Sequence, residues 1–157
     1  MILLARTGVK TVATNRKARH EFFIRDVYEA GIELKGTEVK SLREGKVSLK
    51  ESYASIDDGE MYINNMHISP YKQGNIQNVD PIRKRKLLLH KRQIRKIKQD
   101  TLTKGSTIVA LRVYFKYGRA KLELATAKGK KLHDKRHDIA KKDAERRMRQ
   151  HASEKYR

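Results

Sequence analysis

The sequence predicts a mainly β protein: a small barrel with short flanking helices, followed by a basic C-terminal tail. Three observations carry this. From Val12 to about Thr126, short runs of β-branched and aromatic residues are separated by Gly and Asp turns. Two of those turns, Asp57-Asp58-Gly59 and Lys116-Tyr117-Gly118, place Gly where a tight hairpin needs positive φ. Beyond Thr126 the large apolar side chains thin out, and residues 127–157 hold 12 Lys or Arg against five acids.

Taken in order, Glu21 to Ile24 and Val27 to Leu34 read as strand, with Glu29-Ala30-Gly31 as a bulge or bend. Gly36 allows a turn. Thr37 to Arg43 fits a short helix with Thr37 as its cap, Lys40 and Arg43 near its end and Gly45 just past it. Ser52 to Ile56 and Glu60 to Asn64 are strands flanking the Asp-Gly turn, and Asn65 to Asp80 is irregular. From Arg83 to Lys98 the spacing predicts a basic helix opened by Pro81. Leu87, Ile94 and Ile97, with His90 between, fall on one face, while Lys84, Lys91, Arg92, Arg95 and Lys98 crowd the rest. Gly105 closes the segment. Ile108 to Phe115 and Lys121 to Thr126 form a hairpin in which Val109, Leu111, Val113 and Phe115 make an apolar face opposite Ala110, Arg112 and Tyr114. In the tail, Ala140, Ala144, Met148, Ala152 and Tyr156 recur every four residues. So thin a stripe buries too little to hold a helix alone, and the tail is expected to be disordered when free and to fold on a polyanion.

Charge narrows the function. Lys and Arg number 38 against 18 Asp and Glu, a formal +20 on 157 residues, far beyond the magnitude of about 2 to 8 that solubility requires. The run Arg83 to Lys98 alone holds nine cations and no acid. A polyanionic partner is implied, nucleic acid first, and with +13 on the body and +7 on the tail two separate contacts are expected. No apolar run approaches the roughly 20 residues of a bilayer span, which excludes a membrane reading. Ile2 to Ala5 offers four apolar residues before Arg6, fewer than the seven or so of a signal peptide, so a cytoplasmic protein is expected. The chain lacks cysteine, and 38% hydrophobic residues point to one modest core.

Little else suggests chemistry. His133 and His137 stand at i and i+4 but lack a third ligand and sit among Lys131, Lys135 and Arg136. Glu29, Glu38, Glu44 and Glu51 have no spacing that pairs them for acid and base work. Phosphate-gripping and nucleophile-elbow motifs are absent. Neither a cofactor nor enzymatic activity is expected. Rings such as Phe23, Tyr62 and Tyr114 suit base stacking or core packing equally.

Longer words in the sequence are more specific. Asn15-Arg16-Lys17-Ala18-Arg19-His20, Tyr28-Glu29-Ala30-Gly31-Ile32, Glu38-Val39-Lys40-Ser41-Leu42-Arg43, Arg85-Lys86-Leu87-Leu88-Leu89 and Lys128-Gly129-Lys130-Lys131-x-His133-Asp134-Lys135-Arg136 resemble the bacterial SsrA-binding protein family, also called small protein B, in the family's own order. The resemblance implies an oligonucleotide-binding-like barrel over residues 1–126. It also implies a tail over 127–157 that becomes helical on the ribosome. Its implied partners are transfer-messenger RNA, gripped at the transfer-RNA-like domain, and the stalled bacterial ribosome with its small-subunit rRNA. Position by position it implies RNA contacts by Asn15, Arg16, Arg19, Glu29, Lys40, Arg43, Lys86 and Leu88. Contacts to the decoding site and message channel fall to Lys130, Lys131, His133, Asp134, Lys135 and Arg136. A carboxylate at Glu29 suits an RNA site if it accepts from base amino or ribose hydroxyl groups; the alternative is that it offsets a neighbouring Arg. On the expected helix, Leu88 points away from the Leu87, Ile94, Ile97 face.

Overall fold

Pairing in the main sheet is antiparallel throughout, and tight turns at Asp58-Gly59 and Tyr117-Gly118 join two pairs of its strands. The computed structural model describes residues 8–74 and 78–155; Ile2 to Ala5 and Tyr156 lie outside the described residues. In chain order the elements are β1 (Val9–Thr14), α1 (Arg16–Glu21), β2 (Phe22–Ile32), α2 (Gly36–Arg43), β3 (Val47–Ser48), β4 (Tyr53–Asp57), β5 (Glu60–Asn64), β6 (His67–Ile68), β7 (Arg85–Leu88), α3 (Lys91–Lys104), β8 (Thr107–Lys116), β9 (Arg119–Gly129) and α4 (Leu132–Lys155). Seven strands hydrogen-bond in the order β1-β8-β9-β2-β7-β5-β4, and β3 pairs with β6 apart from them. The main sheet curls until edge strand β4 packs against β8. Met61 and Ile63 of β5, Leu87 of β7, Leu122 and Leu124 of β9 and Val113 of β8 fill the interior, closed by Leu42 of α2 and Ile97 of α3.

Both glycine turns form as their chemistry dictates. Asp58 and Gly59 take φ of 52° and 77°, Tyr117 and Gly118 take 50° and 78°. Two consecutive positive φ values give the turn whose twist matches the flanking strands, and Asp57 pairs with Glu60, Lys116 with Arg119.

The segment Arg83 to Lys98 departs from expectation. Its first part is strand β7, wedged between β2 and β5, and the helix begins only at Lys91 with His90 as its cap. Leu87 pairs with Met61 on one side and Ile32 on the other. Arg85 and Leu87 point inward, Lys86 and Leu88 outward, so the same residues satisfy a period of two as well as one of 3.6. The two flanking strands, each with backbone groups to satisfy, decide for the strand. Ile94 and Ile97 remain the buried stripe of α3, and Gly105 ends it in the left-handed region at φ 62°. Pro81 opens no helix; it stands in the turn before β7, where its carbonyl accepts from Ile68 N–H and Arg85 Nη2.

Smaller departures follow the same logic. β2 is continuous through Glu29-Ala30-Gly31, which pair with Glu123, Leu122 and Lys121, and its irregularity falls between Ile24 and Val27. In α2 the first turn is closed not by Thr37 but by the Glu38 carboxylate, which accepts the Lys35 N–H at 2.9 Å. The β8 face is not uniform. A register shift between Ala110 and Arg112 sends Val109 and Leu111 to a second small cluster with Ala18, Ala125 and Ala127 beneath α1, while Val113 and Phe115 join the main core. Strand β9 runs on to Gly129, and α4 then buries none of its residues.

Candidate RNA-binding surface

A cleft of about 490 Å³ opens where β2, β7 and the start of α3 meet, lined by Glu29, Gly31, Leu88, Leu89, His90, Gln93 and Lys121. It brings together Glu29 and Leu88, which lie far apart in sequence. Gly31 pairs directly with Leu88, and the missing side chain leaves Leu88 room to lie outward, 53% exposed. Leu88 thus faces away from Leu87, but through strand alternation rather than the turn of a helix.

Glu29 is held from one side only. Its Oε2 accepts from the Tyr114 hydroxyl and from Lys116 Nζ at 3.4 Å. Among the described residues nothing donates to Oε1. The Tyr114 hydrogen bond, and after it Lys116, keeps the Glu29 carboxyl below the usual carboxylate range. Among the described residues no arginine pairs with Glu29; Arg112 of β8 donates its Nε to Glu123 Oε2 at 2.5 Å instead. The site therefore offers an ionised acceptor beside an exposed apolar surface and a cation, Lys121.

The other expected RNA residues lie outside this cleft. Asn15 is buried and acts as a strut: its Nδ2 donates to the Ala110 carbonyl at 2.9 Å and the Leu49 carbonyl at 3.3 Å, and its N–H to Leu111. That fixes the start of α1, whose Arg16 and Arg19 are exposed. Lys40 and Arg43 of α2 lie over the rings of Tyr71 and Phe115, at 5.5 and 4.9 Å. Lys86 is half-buried, 3.8 Å from Glu60, and lines a separate pocket with Glu33, Lys35 and Arg83.

The tail residues are not equivalent. Lys130 is turned inward, its side chain 8% exposed; Nζ donates to the Arg19 carbonyl and to Asp138, and lies over the Phe23 ring at 5.1 Å. Its backbone N–H reaches Glu21. Asp134 caps α4 by accepting the Lys131 N–H at 3.1 Å and also meets His133 at 3.1 Å. Lys131, His133 and Arg136 are exposed and Lys135 is half-buried.

Sequence reasoning missed a buried charge cluster between α2 and the start of β7. Arg85, fully buried, donates Nε to Glu38 Oε2 and Nη1 to the Met66 carbonyl, both at 2.5 Å, while Arg83 grips the same carboxylate with Nε and Nη2. Burial pushes the Glu38 carboxyl up, but Arg83, the Lys35 N–H and Arg85 together hold it below the ordinary value.

The family model described as SmpB protein matches residues 12–154. This chain belongs to the SmpB protein family. It is 62% identical over 143 residues to the SsrA-binding protein of Desulforudis audaxviator, covering 91% of this chain and 94% of that one. With the SsrA-binding protein of Halothermothrix orenii it shares 55% identity over 154 residues, covering 98% and 99%. With that of Clostridium tetani it shares 60% over 137 residues, covering 87% and 88%. A solved chain from "tmRNA-SmpB: a journey to the center of the bacterial ribosome" superposes with a TM-score of 0.65 at 53% identity, over 76% of this chain and 85% of that one.

Proposed function

We propose that this chain binds the transfer-RNA-like domain of transfer-messenger RNA and carries that RNA to stalled ribosomes, where the nascent peptide is tagged and the ribosome rescued. The observation that carries the reading is the convergence of Glu29 and Leu88 in one cleft on a protein of formal charge +20, in a family whose members are named for binding SsrA. Cations supply affinity for phosphate without choosing among RNAs. Selection falls to the cleft: Leu88 packs against an unstacked base or ribose, and Glu29 Oε1 accepts from an amino or 2′-hydroxyl group. Asn15 sets the position of Arg16 and Arg19, while Lys40, Arg43 and Lys86 add cations along the flanks.

The tail makes the second contact. His133 and Arg136 meet rRNA, the imidazole by stacking and the guanidinium at phosphate, with Asp134 and Lys135 between them on α4 and Lys131 just before its start. Lys130 acts from the barrel side, setting where the tail leaves. This is a binding factor of the cytoplasm rather than an enzyme. Among the described residues no helix is long and apolar enough to cross a membrane.

Ribosome sedimentation in the presence of transfer-messenger RNA tests the reading. The protein is expected to join ribosomes whose message ends in the decoding site and to be scarce on those with a full message channel. Equal association with both would favour a constitutive structural RNA-binding protein.

A further inference from the structure

Glu29 has a neighbour that ought to destabilise it. In the register of β2 and β9 it stands directly opposite Glu123, and like charges opposed across two strands repel. β8 resolves the conflict with two different groups. Arg112, in register with Glu123, donates to that carboxylate and to Thr11 Oγ1 at 3.2 Å, and its guanidinium lies 4.4 Å from the Tyr114 ring. Tyr114 is buried, 2% exposed, yet its hydroxyl reaches out of the packed ring to Glu29.

We infer that Tyr114 is a positioning residue for RNA recognition: its hydroxyl fixes Glu29 by Oε2 and so aims Oε1 into the cleft. The inference rests on the reading of that cleft as an RNA site. Tyrosine suits the task better than a cation. A ring wedged under Arg112 has one orientation, whereas the Lys116 ammonium on its flexible stem pairs at 3.4 Å without fixing direction. Burial and the adjacent carboxylate also push the Tyr114 hydroxyl up from its ordinary value, so it stays a donor at every working pH. With Tyr114 and Lys116 both on Oε2, that oxygen's lone pairs are used, and Glu29 presents a single acceptor atom. With Oε2 engaged, Glu29 cannot use both oxygens side by side on the paired donors of a guanine edge, and it meets an amino or hydroxyl donor through Oε1 alone.

Tyr114→Phe keeps the ring and removes the donor. Expected is a loss of affinity for transfer-messenger RNA of about five- to tenfold, with the thermal transition retained and no further loss when Tyr114→Phe is added to Glu29→Gln. In the free protein, NMR titration of the Glu29 carboxyl is expected to move upward in Tyr114→Phe. Tyr114 and Lys116 of β8 contact that carboxyl, Lys121 acts on it through its charge, Glu123 stands opposite in register and His90 lines the same cleft, so the other four serve as an unchanged background. A normal Glu29→Gln defect beside wild-type binding by Tyr114→Phe, additive losses in the double variant, or an unmoved Glu29 titration overturns the role of Tyr114. Wild-type binding by Glu29→Gln overturns the cleft reading itself, and the inference with it.

Discussion

Gly31 of β2 and Leu88 of β7 sit so close that a Cβ built on the glycine would lie 3.2 Å from the leucine Cβ. The outward lean of Leu88 therefore depends on a hydrogen atom at position 31. Gly31→Ala is expected to shift Leu88 by a few tenths of an ångström at a stability cost within the roughly 1 to 3 kcal/mol of a tight insertion. Affinity for transfer-messenger RNA should fall at temperatures well below the melting transition, where the variant is still folded. Unaltered affinity in titration would remove Leu88 placement from the recognition scheme.

Arg85 and Glu38 make a second, structural prediction. Glu38→Gln leaves the Arg85 guanidinium buried without its counter-charge, for which the expected loss is about 3 to 5 kcal/mol in denaturant unfolding. Replacement of the whole cluster by apolar residues of similar volume should cost much less.

The same carboxylate predicts a pH dependence. Glu38 is held below its ordinary value near 4.5, so the folded state binds its proton less readily than the unfolded state does. Its contribution is present above pH 4.5 and is lost as pH falls from there towards the lower folded value. Melting temperatures measured across this range should converge for wild type and Glu38→Gln as the pH drops. Parallel curves would contradict the linkage.

The tail gives a fourth prediction, and the strand pairing sets where to cut. Phe22 pairs with Gly129 and Phe23 with Lys128, so truncation after Ala127 removes part of β9 as well as the tail. A chain ending at Lys131 keeps the strand and the Lys130 backbone bond to Glu21. It is expected to bind transfer-messenger RNA as the full chain does and to fail in peptide tagging. A collapse of RNA affinity in that chain would mean that barrel and tail are not separate contacts.

Much of this was legible in short-range chemistry. The two hairpins follow from Gly59 and Gly118, which adopt positive φ without cost, and the α3 stripe of Ile94 and Ile97 follows from helical spacing. Where the sequence misled, long-range partners decided. Leu87 satisfies both periods, and only Met61 and Ile32 on either side make it strand. Arg85 reads as one more surface cation because Glu38, which justifies its burial, lies 47 residues away. Glu29 and Leu88 entered as separate candidates from the family words, and only the β2–β7 pairing puts them in one cleft. Tyr114 carried no signal of its own, since its partner lies 85 residues distant.

The most direct measurement is a salt titration of binding to transfer-messenger RNA, beside an ordinary transfer RNA and an unrelated hairpin, for wild type and Glu29→Gln. All three RNAs should show counterion-release slopes. The cleft predicts that wild type keeps a preference for transfer-messenger RNA as salt rises, and that Glu29→Gln loses the preference while its slopes stay unchanged. Equal affinities that decay together in wild type would contradict shape-specific recognition and reduce the surface to a general polyanion site.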